Sequence, residues 1–187
     1  MKWIIFLFVT CLILLIVAGV IIPQVTLKIA SHKKSSGKTV MTISSSAFKN
    51  GASIPSQYTC DGADVNPPLA FSGIPKDTKS LLLLVDDPDA PGGTWHHWTI
   101  YNMSPETVGL AENSKPSSGH EGITSFGKIG YGGPCPPSSI HGYVFTLYAL
   151  DSMLDLPSNA TYNEIRSVMD IYIIDKAELI GKYSRVK

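Results

Sequence analysis

The sequence predicts a mainly β domain, an antiparallel two-sheet sandwich with short C-terminal helices, preceded by one N-terminal transmembrane helix. Three observations lead to this prediction. Apolar or alternating segments of strand length recur between residues 39 and 150, separated by turn-forming residues. Helical patterns follow only after residue 160. The first 22 residues contain an uncharged apolar run as long as a bilayer core is thick.

The apolar run from Trp3 to Ile22 holds twenty residues without a charge and ends before Pro23. At about 1.5 Å per residue, a helix of this length measures about 30 Å. Secretory signal peptides have a shorter apolar stretch of roughly 7–15 residues. We therefore interpret residues 1–22 as a single-pass anchor that places the protein in a membrane through residues 3–22. A cleaved signal segment and a buried core helix are the alternatives.

A basic, serine-containing linker at residues 23–38 follows the run, and a single domain occupies residues 39–187. All fifteen acidic residues lie at or after Asp61, whereas five of the fifteen basic residues lie before Thr39. Ten basic minus fifteen acidic residues leave this domain a net charge of −5. Nucleic-acid binding needs a basic surface, so no nucleic-acid partner is expected.

The side of the membrane on which the domain lies is less clearly indicated. Four lysines after the apolar run favour a cytoplasmic domain. Against this, a start of only two residues before a long apolar run resembles an export signal. We expect an extracytoplasmic domain.

Four segments have strand patterns. Thr39–Ile43 alternates with period two, and Ser80–Val85 is a short continuous apolar run typical of a central strand. Trp95–Tyr101 and Tyr143–Leu150 are rich in aromatic residues. Segments rich in Gly, Pro, Ser and Asp separate the strands and indicate loops: Asp61–Pro68, Asp86–Gly93, Ser114–Gly122 and Gly130–Ser139.

The end of the chain has a different pattern. Ser158, Asn159 and Thr161 are good helix caps, and they precede a predicted helix at Tyr162–Asp170. Asp175–Tyr183 is predicted as a second helix or helical turn. Strands followed by terminal helices are typical of a sandwich with helices at one end.

Three polar clusters lie where strands meet loops: Asp86–Pro91, Trp95–Trp98 and Gly130–Tyr143. Taken singly, each cluster also has a purely structural interpretation. The first is typical of a turn, the second of a histidine in the core, and the third of a rigid proline-rich loop. Side chains alternate along a strand, so His96 and His97 face opposite ways and only one of them can join a given site. By the same rule His141 and Tyr143 share a face. Successive glycine amides in the third cluster are suited to anions.

Taken together and in order, the motifs are far more specific: Cys60-Asp61-Gly62, Asn66-Pro67-Pro68-Leu69, Asp87-Pro88-Asp89-Ala90-Pro91, His97-Trp98, Asn102, Gly132-Gly133-Pro134-Cys135-Pro136-Pro137, His141-x-Tyr143 and Tyr148-Ala149-Leu150-Asp151. Over residues 41–185 the chain resembles the phosphatidylethanolamine-binding protein family. It resembles in particular the bacterial Raf-kinase-inhibitor-like branch, of the YbhB/YbcL type. The resemblance does not extend to the apolar run.

This resemblance implies a two-sheet sandwich with an anion pocket at one end and no cofactor or metal. The implied ligand is a phosphate-bearing small molecule, a phospholipid headgroup, or the phosphorylated or acidic group of a protein partner. The family name also implies a protein that inhibits such a partner, a kinase or a protease. Both a disulfide between Cys60 and Cys135 and free thiols fit the pattern. The pocket residues that it implies are Asp87, Asp89, His97, Gly133, Pro134, His141 and Tyr143.

Two departures from the family pattern concern the pocket. Gly142 stands where the family usually has an arginine between the histidine and the tyrosine, which removes a charge. Thr124-Ser125-Phe126-Gly127 replaces the common Asn-Asp-Phe-Gly. A metal-dependent or His/Asp hydrolase using the same pocket is the alternative function, although the sequence has no G-x-S-x-G motif.

Overall fold

In the computed structural model, the residues described are 40–185. The predicted anchor and linker therefore lie outside the described residues. Between residues 40 and 185, no helix is both long enough and apolar enough to span a bilayer.

Two antiparallel sheets form the sandwich, as the sequence predicted. In spatial order, the smaller sheet comprises β1 (Thr42–Ser44), β2 (Leu69–Ser72) and β5 (Gly109–Leu110). The larger sheet comprises β6 (His120–Glu121), β4 (Trp95–Met103), β3 (Ser80–Asp87), β7 (His141–Leu150) and β8 (Ile173–Tyr183). Among residues 40–185 there is one α-helix, α1 (Tyr162–Met169), which begins with a capping box formed by Thr161 and Glu164.

The central strand β3 is buried on both faces, which explains its continuous apolar sequence. Leu81, Leu83 and Val85 belong to the core between the two sheets. Leu82 and Leu84 point the other way, because side chains alternate along a strand. They pack with α1 on the outer face of the larger sheet. The apolar run thus serves two cores.

The predicted second C-terminal helix is wrong, because residues 173–183 form the strand β8. Lys176 to Leu179 are good helix formers, so local propensity favoured a helix. Ten residues of β7 instead pair with this segment. Pairing turns Leu179 and Gly181 into the core, and a side chain on Gly181 would collide with Ile54. Only a 3₁₀ turn, Asp170–Tyr172, follows α1 before β8 begins.

The strand order brings the predicted site residues to one end of the sandwich. Since β3 is antiparallel to both of its neighbours, its C-terminal end adjoins the N-terminal ends of β4 and β7. Asp87 closes β3, His97 lies near the start of β4, and His141 begins β7. Two consecutive strands therefore meet at this end with a third that begins far later in the sequence.

Asn102 provides a test of the fold. Its backbone has φ 58°, its side-chain Nδ2 donates to the Leu154 carbonyl at 2.9 Å, and its Oδ1 accepts from the Leu154 amide at 2.8 Å. Asn102→Ala leaves both buried backbone groups unpaired in a conformation that alanine disfavours, so we expect a loss of about 2–4 kcal/mol in the free energy of unfolding. Asn102→Gly keeps the conformation and should lose about 1 kcal/mol less. Urea unfolding measures both, and two variants within error of wild type would contradict this role.

Candidate ligand-binding site

A cavity of about 450 Å³ opens at the end of the sandwich where β3, β4 and β7 meet. Only two of its lining residues, Asp87 and His97, present ionisable side chains. The remainder of the lining is mainly apolar: Ala90, Pro91, Trp95, Phe126, Cys135 and Pro137. The cavity therefore has a small polar floor, formed by Asp87 and His97, within apolar walls.

The Asp87 side chain is almost fully buried and receives hydrogen bonds at both carboxylate oxygens. Oδ1 accepts from the Asp89 amide at 2.9 Å, and Oδ2 is 2.7 Å from Nδ1 of His141. His141 is also buried. An ionised carboxylate can only accept, so the proton of this bond belongs to Nδ1 of His141. The pair satisfies a buried charge that would otherwise be costly.

Asp89 lies on the exposed side of the same loop. Its Oδ2 accepts from the Gly142 amide at 2.8 Å, which ties the loop after β3 to the start of β7. The loop is thus fixed by two contacts with the start of β7: Asp87 pairs with His141, and Asp89 accepts from the Gly142 amide. Asp89 is not among the residues that line the cavity.

His97 has a defined tautomer. Its Nδ1 is 2.7 Å from the Gly132 carbonyl, which can only accept, so Nδ1 carries a proton. In the neutral ring the lone pair is therefore on Nε2. Burial lowers the pKa of His97 below its usual value, although the Gly132 carbonyl and the charge of Asp87 partly oppose this shift. Burial therefore favours the neutral ring over the imidazolium.

Tyr143 is fully buried, with its ring 5.1 Å from that of His97. Its hydroxyl has no hydrogen bond of normal geometry within residues 40–185. Burial, and next the charge of Asp87, raise the pKa of this phenol, so it stays protonated. Neither Tyr143 nor His141 lines the cavity. Tyr143 packs against His97 and His141 pairs with Asp87, so both contact the residues of the polar floor.

The glycine loop before β7 is fastened within the protein. The Gly132 amide donates to the His97 carbonyl at 3.0 Å, and the Gly133 amide donates to Asp64 at 2.6 Å. These amides are therefore engaged rather than presented to an anion. A side chain on Gly133 would collide with Asp64 and with the backbone of Tyr58, which accounts for the glycine.

A disulfide joins Cys60 to Cys135, with its Cα atoms 5.4 Å apart. The Cys60 amide also donates to the Pro134 carbonyl at 3.1 Å. Cys135 and Pro137 are the residues of this loop that line the cavity. Both cysteine residues are exposed.

Sequence reasoning missed the aromatic part of the wall, formed by Trp95 and Phe126. Their rings meet edge to face with centroids 5.4 Å apart. Phe126 also packs edge-on against His97 at 5.3 Å. Gly132 makes room for it, since a side chain there would be 2.4 Å from the Phe126 ring. The one sequence signal was the Thr124–Gly127 motif, which gives no indication that its phenylalanine reaches the site.

His96 faces away from the cavity, as alternation predicted. Its Nδ1 lies 2.9 Å from Asp86, and its ring stacks on Tyr162 at 3.3 Å. His120 lies in β6, at the edge of the larger sheet. Over residues 40–185, no three His, Cys, Asp or Glu side chains form a group able to hold a metal ion.

Comparison with known proteins places this geometry in context. The family model described as phosphatidylethanolamine-binding protein matches residues 44–184. A UPF0098 protein of Methanothermobacter thermautotrophicus is 44% identical over 150 residues, covering 78% of this chain and 99% of the relative. A UPF0098 protein of Chlamydia trachomatis is 42% identical over 150 residues, with coverage of 78% and 99%.

Two solved structures are similar. One is described as a phosphatidylethanolamine-binding protein homologue from Chlamydia trachomatis. It superposes with a TM-score of 0.76 at 41% identity, covering 79% of this chain and 99% of that one. YbcL of Escherichia coli superposes with a TM-score of 0.73 at 29% identity, with coverage of 78% and 99%.

The disulfide predicts a thiol count and a stability effect. The denatured full-length chain, with three cysteines, should show one reactive thiol without reductant and three after reduction. Replacing both Cys60 and Cys135 by Ser should lower the free energy of unfolding by about 2–4 kcal/mol, because the bond closes a loop with a separation of 75 residues. Three reactive thiols before reduction would show that the bond does not form.

Proposed function

This chain belongs to the phosphatidylethanolamine-binding protein family, whose fold binds small ligands, and we propose that its cavity binds a small ligand through a phosphate or carboxylate group. The observation that carries this proposal is the floor of the cavity, where Asp87 and His97 are the ionisable groups. A protonated imidazole donates a hydrogen bond to an anion and attracts its charge.

The electrostatics of the site make proton uptake part of the binding. None of the cavity-lining residues is a lysine or an arginine, and Gly142 occupies the position where the family usually has arginine. The carboxylate of Asp87 repels an anion. The neutral ring of His97 presents a lone pair at Nε2, which repels it as well. An incoming phosphate is therefore bound when His97 takes up a proton, from solvent or from the acid form of the ligand.

The Tyr143 hydroxyl supports the same proposal. It is a protonated donor next to the polar floor, and within residues 40–185 it interacts with the Asp87 carboxylate and the Cys135 backbone without forming a hydrogen bond of normal geometry. A ligand oxygen that reaches the floor would offer this hydroxyl an acceptor of better geometry, which would favour binding.

Several sources share this ligand chemistry: a phospholipid headgroup, a free phosphate ester, or a phosphorylated or acidic side chain on a protein partner such as a kinase or protease. We propose a binding protein rather than an enzyme. The alternative is a hydrolase in which Asp87 and a histidine activate water. It predicts release of inorganic phosphate from a bound ester, which ³¹P NMR of the protein mixed with phosphorylethanolamine would detect.

The pH dependence of binding tests the proposal. A bound anion raises the pKa of His97 from its lowered value. Affinity for phosphate or phosphorylethanolamine should therefore be highest below the pKa that His97 has in the ligand-free protein. Between this pKa and the higher pKa of His97 in the complex, affinity should fall by up to tenfold per pH unit. His97→Gln should abolish this dependence and lower affinity at acidic pH by about 1.5–3 kcal/mol.

His96→Gln is the matched control, because His96 lies on the opposite face of β4. It should retain both the affinity and the pH profile of the wild type, followed by ¹H–¹⁵N NMR and calorimetry. Equal, pH-independent affinity in wild type and His97→Gln would refute the site assignment. It would leave the fold unaffected.

A further inference from the structure

The strand β8 forms one edge of the larger sheet, and its C-terminal half is covered on the outer side. The Ile180 carbonyl accepts from the Gly51 amide at 2.7 Å, and the Ile180 amide donates to Oδ1 of Asn50 at 2.8 Å. The amide and carbonyl of Lys182 are bonded in the same way to the backbone of residues 52–54. Residues 50–54 therefore occupy this half of the edge.

The N-terminal half of β8 keeps an open edge. Outward-facing backbone groups recur at every second residue of an edge strand, so those of Lys176 and Glu178 face outward, as those of Ile180 do. Within residues 40–185, the Glu178 amide and the carbonyls of both residues have no hydrogen bond to another element. The Lys176 amide donates only to the neighbouring Asp175 carboxylate, at 2.8 Å. Such an edge is a template for a further strand.

Two charged side chains mark this open half. Ala177 and Leu179 pack on the core between the sheets, so by alternation Lys176 and Glu178 lie on the outer face. They are 56% and 43% exposed, with Nζ of Lys176 2.8 Å from Oε1 of Glu178. Charges on an edge usually keep other strands away. These two have opposite signs and flank one alanine, so they are complementary to a reversed copy of themselves.

We propose that β8 pairs antiparallel with β8 of a second copy of this chain, about a two-fold axis at Ala177. Lys176 then lies opposite the partner's Glu178, and Glu178 lies opposite the partner's Lys176. Each of these pairs exchanges two backbone hydrogen bonds, because both members present outward-facing groups. The two five-stranded sheets become one continuous sheet of ten strands.

Charge and coverage exclude the neighbouring registers. A slip of two residues in one direction places Lys176 opposite the partner's Lys176, and like charges directly opposite each other are destabilising. A slip in the other direction places Glu178 opposite the partner's Glu178 and also needs the backbone groups of Ile180, which are already bonded to Asn50 and Gly51. Only the central register joins free backbone groups and opposite charges.

The side chains next to the axis fit this pairing. Ala177 meets its own copy in a pair without hydrogen bonds, where Cα atoms are only about 4.5 Å apart and a small side chain is suited. At the start of the open half, Ile171 and Ile174 are 82% and 41% exposed. Pairing would cover part of this apolar surface.

The proposed dimer leaves both ligand cavities open. Each cavity lies at the C-terminal end of β8, because His141, at the start of β7, pairs with Tyr183. The two copies of β8 run in opposite directions, so the two cavities lie at opposite ends of the joined sheet. Association and ligand binding can therefore be measured separately.

Analytical ultracentrifugation of residues 39–187 tests the proposal. This domain is a suitable sample, because the similar Chlamydia trachomatis structure consists almost wholly of the matching region. The paired segment is short, so we expect a weak monomer–dimer equilibrium that becomes visible at concentrations up to about 1 mM.

Charge reversal tests the register. Lys176→Glu and Glu178→Lys each place like charges opposite each other in a homodimer, and each should weaken association at least about tenfold. An equimolar mixture of the two variants should associate again, because opposite charges face each other in the heterodimer. Lys182→Glu is the matched control: it makes the same charge change on the covered half of β8 and should associate as the wild type does.

The net charge of the domain makes this test discriminating. Residues 39–187 carry ten basic and fifteen acidic residues, a net charge of −5. General repulsion between copies therefore predicts stronger association for Glu178→Lys, whereas the proposed register predicts weaker association.

Circular dichroism first establishes that each variant is folded. Association of the mixture, but of neither variant alone, supports the proposal. It would be overturned by a wild type that stays monomeric at every concentration, by a dimer that single reversals leave unchanged or that Lys182→Glu weakens equally, or by a mixture that stays monomeric. Phosphate binding at His97 should be the same in all the variants, and its absence would refute the proposed function without affecting this inference.

Discussion

The buried carboxylate of Asp87 is the constraint on which the site depends. A charge at the end of a fully buried strand must be compensated by hydrogen bonds, and this structure draws them from two places. The Asp89 amide closes the loop after β3, and His141 at the start of β7 lies 2.7 Å from the second oxygen. Removing His141 would leave a buried charge with one partner fewer.

The same constraint governs the chemistry of the cavity. Since Asp87 is already paired with His141, the charge that faces a ligand depends mainly on the protonation of His97. The tautomer of His97 is fixed by the Gly132 carbonyl, and burial lowers its pKa. In the proposed function, the cavity becomes attractive to an anion when His97 gains a proton. A site with a fixed arginine would bind anions over a much wider range of pH.

Much of the fold could be predicted from the sequence, because pattern and environment agree along β3, β4 and β7. The run Ser80–Val85 is apolar at every position after its serine because both faces of β3 are covered. Prediction failed at β8, where residues 176–179 favour a helix locally but pair with β7. That pairing depends on residues some thirty positions away, which no local pattern reports.

The site was predictable only in part, for a similar reason. The ordered motifs indicated Asp87, His97 and His141, but their roles follow from contacts: His141 holds Asp87, whereas His97 lines the cavity. Trp95 and Phe126 are thirty-one positions apart and come together only because Gly132 leaves room for the phenylalanine. The most direct test of the account is the pKa of His97, measured by NMR of its ring without ligand and saturated with phosphate. The account predicts a pKa below the ordinary histidine value when empty and a clear rise on saturation; a pKa that does not change on binding would contradict it.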